Sequence, residues 1–143
     1  MEITITEHKK LQDMCDCYLE TDYLAEMERM GRNPVADPEE DALKYLSLAI
    51  MHTISEKARK LTLKRADGRL EVKVKNETKE LLPAPPPELF DQMVTIMRRI
   101  LHLDENQGEL PLVLGFRSGQ LELTVSVRHE PEKDSLKFTL PEL

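Results

Sequence analysis

Between positions 6 and 31, Leu11, Cys15, Leu19, Tyr23, Met27 and Met30 recur every three or four residues, which predicts one amphipathic helix. Met14, Tyr18, Leu24 and Ala25 widen its apolar face, Asp13, Asp16, Glu20, Glu26 and Glu28 stay outside it, and Gly31 serves as a stop. After a linker at 33–36, Asp37-Pro38-Glu39-Glu40 reads as a helix start: aspartate as N-cap, proline at the first helical position, and Glu40 placed to complete a capping box. This second helix is apolar nearly all round from Ala42 to Met51, and Ile54 and Ala58 continue its stripe. A helix without a polar face belongs between two layers.

From Leu61 the period becomes two. Leu61, Leu63 and Arg65 alternate with Thr62 and Lys64, Asp67-Gly68 makes a two-residue turn, and Leu70, Val72 and Val74 continue on a second strand. That turn sets Leu63 opposite Val72, Leu61 opposite Val74, and Lys64 opposite Glu71 on the solvent side. The run from Leu81 to Pro87 holds four prolines and cannot be a central strand, but its last proline can open a helix from Glu88. Leu89, Phe90, Met93, Val94, Met97, Ile100 and Leu101 line one side of that third helix, which Asp104 to Gly108 ends. A second hairpin pairs Leu110, Leu112, Leu114 and Phe116 with Leu121, Leu123, Val125 and Val127 across Ser118-Gly119, setting Phe116 against Leu121 and Leu114 against Leu123. A charged loop from His129 to Asp134 then leads to a last strand with Leu136, Phe138 and Leu140.

Strict alternation favours strands with one face on helices and one in water. The expected fold is therefore α+β, a five-stranded antiparallel sheet packed against helices in the order α-α-β-β-α-β-β-β. The expected division is an N-terminal acidic helix and linker at 1–36 and an α+β domain at 37–143. With 40% hydrophobic residues, 33% charged, three Tyr, three Phe and no Trp, the core must be built from aliphatic side chains and methionine. No apolar run approaches the ~20 residues of a spanning helix, and the N-terminus has no signal-peptide pattern, so no membrane insertion and a cytoplasmic location are expected.

Chemistry-bearing motifs are sparse. The five glycines are scattered and no Gly-Lys-Ser or Gly-Lys-Thr is present, which leaves no phosphate loop. His8, His52, His102 and His129 fall in four elements without metal-ligand spacing, and neither Cys15 nor Cys17 has an activating neighbour. No catalytic, metal or cofactor residue is assigned, and the expectation is that the chain is not an enzyme. An enzyme built from distant residues, such as His52 with an acid of the first helix, has no support in the spacing.

Charge is segregated. Residues 1–41 carry twelve acids against four bases, whereas residues 56–75 carry eight bases against three acids. Solvated helices beside a lysine-protected sheet would account for this. The alternative is a docking surface that steers a complementary partner by charge. Its candidate residues are Lys60, Lys64, Arg65, Arg69, Lys73 and Lys75 on the hairpin, and Asp16 and Glu20 on the first helix. A net charge of −7 argues against nucleic acid and leaves a protein partner, or another copy of the same chain as a homodimer.

The stretches Ala58-Arg59-Lys60-Leu61-Thr62-Leu63-Lys64-Arg65 and Leu70-Glu71-Val72-Lys73-Val74-Lys75, the proline-led helix at Pro85-Pro86-Pro87-Glu88-Leu89, its end at Leu103-Asp104, and Leu110-Pro111 follow one another at suggestive spacing. In order and apolar pattern they resemble the second N-terminal domain of the type II secretion and type IV pilus assembly ATPases. The resemblance implies a PAS-like domain without the motor. Family arginines that approach nucleotide correspond to Lys73 and Lys75, which lack the bidentate fork, and the Walker motifs have no counterpart. It implies a non-catalytic interaction or regulatory module whose protein partner is a secretion or pilus assembly component. A small acidic dimeric secretion chaperone holding an unfolded substrate segment is the alternative.

Overall fold

A computed structural model describes residues 7–17, 21–116, 119–130 and 133–141 of the chain. Three helices open the fold: α1 (Glu7–Cys17), α2 (Tyr23–Arg32) and α3 (Pro38–Ser55). The single helix expected over 6–31 is thus two. Asp22 breaks it by taking an extended backbone and accepting a hydrogen bond from the Ala25 N–H at 3.1 Å, as an N-cap does. Tyr18, Leu19 and Glu20 lie outside the described residues. Gly31 does not stop α2 but lies within it, where a Cβ would sit 2.7 Å from the Ala84 carbonyl oxygen. Leu24 and Ala25, expected to be buried, face solvent.

The N-cap and proline of α3 are where the sequence predicts them: Asp37 accepts from the Glu40 N–H at 3.2 Å and Pro38 occupies the first turn. From Ala42 to Thr53 all side chains but Lys44 are buried. Two hydroxyls in that stretch return to the helix's own carbonyls, Ser47 to Leu43 at 2.8 Å and Thr53 to Ala49 at 2.7 Å, so burial leaves neither unpaired. The Tyr45 hydroxyl donates to the Pro83 carbonyl at 2.6 Å.

Six strands follow: β1 (Lys60–Ala66), β2 (Arg69–Lys75), β3 (Lys79–Leu82), β4 (Gln107–Phe116), β5 (Gly119–Glu130) and β6 (Lys133–Thr139), with α4 (Leu89–Ile100) between β3 and β4. They form one antiparallel sheet in the order β3-β2-β1-β6-β5-β4. The sheet has six strands, not five, because Lys79–Leu82 adds to β2 just ahead of the prolines. Proline bars the middle of a sheet but not the end of a four-residue edge strand. The first hairpin has the predicted register, and Asp67 and Gly68 both take positive φ (54° and 73°) in its turn. The second hairpin differs: Phe116 pairs with Gly119, Leu114 with Leu121 and Leu112 with Leu123. The connection is therefore 117–118, outside the described residues, one position earlier than expected. A shift of the turn centre by one residue keeps every side chain on its face. The charged segment 129–134 is also not a loop, since His129 pairs with Asp134 and Glu130 with Lys133 across the β5–β6 connection.

Leu61, Leu63, Val72, Val74, Leu112, Leu114, Leu123, Val125, Val127, Leu136 and Phe138 cover the inner face, which packs under the helices. Leu11 and Cys15 of α1 and Met27 of α2 are fully buried. Side chains of α1 also close the free edge of β4. The His8 Nε2 lies 2.7 Å from the Val113 carbonyl, and the Gln12 Oε1 accepts from the Gly115 N–H at 2.7 Å. Strand periodicity turns Pro111 toward that same edge, where it has no N–H to expose.

Candidate interaction surface

The outer face follows from the alternation that buries the inner one. Every second residue of β1, β2, β3 and β6 points away from the helices, and most are cationic: Lys60 and Lys64, then Arg69, Lys73 and Lys75, then Lys79, then Lys133 and Lys137. Pairing sets Lys60 beside Lys75 and Lys75 beside Lys79 in one unbroken row. In the next row Lys73, Thr62 and Lys137 are neighbours. Between the lysines stand hydroxyls, Thr62, Ser135, Thr139 and Ser126. Glu71 is the acid within this half of the face; it lies across from Lys64, and its carboxylate meets the Lys73 ammonium at 2.8 Å. Lys73 holds the Glu71 carboxyl below its usual range. Lys64 has its ammonium pKa lowered, first by the Lys133 ammonium beside it, so like charges are crowded here without an acid for each.

Of the expected docking residues, Lys60, Lys64, Arg69, Lys73 and Lys75 share this face. Asp16 is a half-buried residue of α1, on the helical side of the sheet, and Glu20 lies outside the described residues. Arg65 is not part of the patch. It lies on the inner side, opposite Leu70 and Asp134, and its guanidinium donates twice to Asp134 Oδ2, from Nη2 at 2.7 Å and Nε at 3.2 Å. Nη2 also reaches Asp91 Oδ1 of α4 at 2.7 Å, and the group lies 5.2 Å from the Phe90 ring centroid. The other oxygen of Asp134 faces His129 Nδ1 at 2.5 Å. Arg65 thus fastens α4 to the sheet. Reading along the sequence grouped it with the lysines because five other bases surround it; the inward phase of Leu61 and Leu63, extended by two residues, identifies it as different.

Lys79, Lys133 and Lys137 were missed as members of the face. Lys137 alternates with buried Leu136 and Phe138, and that signal was present; what joins it to the first hairpin is the β1–β6 pairing, a contact across more than 70 residues.

The remaining chemistry is limited. His52 bonds to Glu80 of β3 at 3.1 Å, not to an acid of α1. The open groove of about 640 Å³ by the β1–β2 turn is lined by Asp67, Glu88 and Asp134, and among the described residues its cation is the already bonded Arg65. Among the described residues no group of three His, Cys, Asp or Glu could hold a metal ion, and no helix is long and apolar enough to cross a membrane. The chain matches no protein-family model and no curated protein.

Proposed function

We propose that the chain is a non-catalytic protein-interaction or regulatory module that docks an acidic protein partner on its open sheet face. The observation that carries this is the position of the lysines. Protection against edge-to-edge aggregation accounts for Lys79 on edge strand β3. It does not account for Lys60 and Lys64 on β1 or Lys133 and Lys137 on β6, the two central strands. A solvated face is satisfied by either sign of charge, so a run of one sign across the central strands favours the approach of an anion.

We further propose a PAS-like domain related to the N-terminal domain of the secretion and pilus motors, with residues 1–36 as its acidic extension and the partner a component of such an assembly. In support, the strands other than β3 run in the order β2-β1-β6-β5-β4, so that the last strand returns beside the first, and helices cover one face alone. A chaperone would need an apolar groove. The exposed large apolar side chains among the described residues are Leu24, Leu81 and Val113, on three separate elements.

The test is co-purification with secretion or pilus motor components at about 50 mM salt, for the native chain and for Lys75→Glu/Lys137→Glu. Capture by the native chain that is lost in the variant and at about 500 mM salt is expected. Failure to capture any motor component at low salt would remove the secretion assignment, and capture indifferent to the substitutions would remove the sheet face.

A further inference from the structure

We infer that the acidic surface this sheet face accepts is the helical layer of a second copy of the chain, joined head to tail. The inference rests on the docking reading above and gives that face its occupant. The sheet separates the two charges: lysines point out from one side, while on the other α1, α2 and α3 expose Asp13, Glu28, Asp37 and Glu40 and, with their caps, hold an excess of acids over the bases Lys9, Lys10, Arg29, Arg32 and Lys44. A helix layer is roughly 10 Å thick and packs roughly 10 Å from a sheet, so the patches lie more than two Debye lengths apart at physiological salt. The sheet lysines of one copy therefore cannot neutralise that copy's helical acids. A neighbour's can.

The spacings match. Same-face residues on a strand repeat at roughly 6.7 Å and adjacent strands at roughly 4.8 Å, against roughly 5–6 Å between side chains one helical turn apart. A nucleic acid would find fewer points of attachment. Among the described outward strand positions no aromatic side chain stands to stack a base, and the arginines are two, Arg69 and Arg128, the second already beside Glu130. Because the donor and acceptor patches differ and lie on opposite sides, the contact is heterologous. Its product is an open chain of copies and not the closed homodimer that the sequence suggests as one option.

Sedimentation velocity tests this over a concentration series at about 20 and about 300 mM salt. At low salt the weight-average sedimentation coefficient should climb continuously with concentration, and it should fall to the monomer value at high salt. Two charge-swapped chains, Lys75→Glu/Lys137→Glu on the sheet and Glu28→Lys/Glu40→Lys on the helices, should each lose self-association by about tenfold or more. Mixed, they should recover it, because each then offers what the other lacks. All four substitutions are at exposed positions, and circular dichroism checks their folding. A native chain that stays monomeric at low salt, or folded variants whose mixture does not recover, would overturn the inference. In that case binding of a poly-glutamate peptide separates the two claims. Salt-sensitive binding abolished by the sheet substitutions leaves the docking reading standing with a different partner; no binding removes both. Retention on single-stranded DNA in preference to poly-glutamate would count against both as well.

Discussion

Replacing Arg65 by leucine should cost more stability than any other single charge removal on the sheet. The guanidinium bridges two carboxylates of unequal standing, for the Asp134 side chain is 8% exposed and that of Asp91 is 66% exposed. Both aspartates hold the guanidinium charged, Asp91 the more strongly. The contact with Asp91 is nevertheless in water and screened, so Asp91→Asn should cost about 0.5 kcal/mol or less. Asp134 cannot turn to solvent. Without Arg65 it loses both hydrogen bonds to its Oδ2, and an uncompensated buried charge costs about 3 kcal/mol. Arg65→Leu/Asp134→Leu should be less destabilised than Arg65→Leu, since an apolar pair leaves no charge stranded. Urea unfolding followed by circular dichroism reads the series. With a slope of about 2 kcal/mol per molar, Arg65→Leu should lower the midpoint by about 1.5 M. An Arg65→Leu chain no less stable than Asp91→Asn, or a double variant worse than Arg65→Leu, would refute the reading of Arg65 as the counter-charge that buried Asp134 requires.

Four further outcomes follow from local geometry. Asp37→Ala removes the acceptor of the Glu40 N–H and should lower stability by about 1 kcal/mol in the same urea assay, while Asp37→Asn should cost much less. Cys17 is exposed and should react with a thiol reagent in the native state, whereas Cys15, whose thiol burial pushes to about 12, should react only on unfolding. The native fold then holds the Cys15 proton where the unfolded chain loses it near 9, so stability measured between pH 9 and 12 should fall as pH rises. His8→Ala/Gln12→Ala uncovers the β4 edge at Val113 and Gly115; static light scattering at high protein concentration should show more aggregation at high salt, where charge association is absent.

The inner face of the sheet was legible because its period of two is strict, and so were the Asp37 start of α3 and the Asp67-Gly68 turn, each of which is a local device. What failed to read had a non-local or a competing cause. The apolar stripe of residues 6–31 keeps its helical phase through the chain break, so periodicity alone could not reveal that Asp22 caps a new helix. The strand β3 is four residues long and was masked by the prolines after it. Gly31 looked like a terminator, yet glycine is there because the Ala84 backbone comes close, a fact carried by tertiary packing. Half of the basic face was readable as a charged hairpin. The other half depended on β6 returning beside β1, which no local pattern specifies.

The same division bears on what net charge can mean. A total of −7 argues against anionic partners only if a partner senses the sum. With charges of opposite sign held on two sides of a sheet, screening at physiological salt lets an approaching molecule sense the nearer side first. The acids of α1, α2 and α3 therefore do little to weaken attraction at β1, β2 and β6, and the exclusion of anions drawn from composition does not apply to that face. What composition could not supply is direction. Once the strand phase fixes which way Lys60, Lys75 and Lys137 point, the chain has two surfaces of opposite sign, and its association should be governed by whichever complementary surface meets it at the higher concentration.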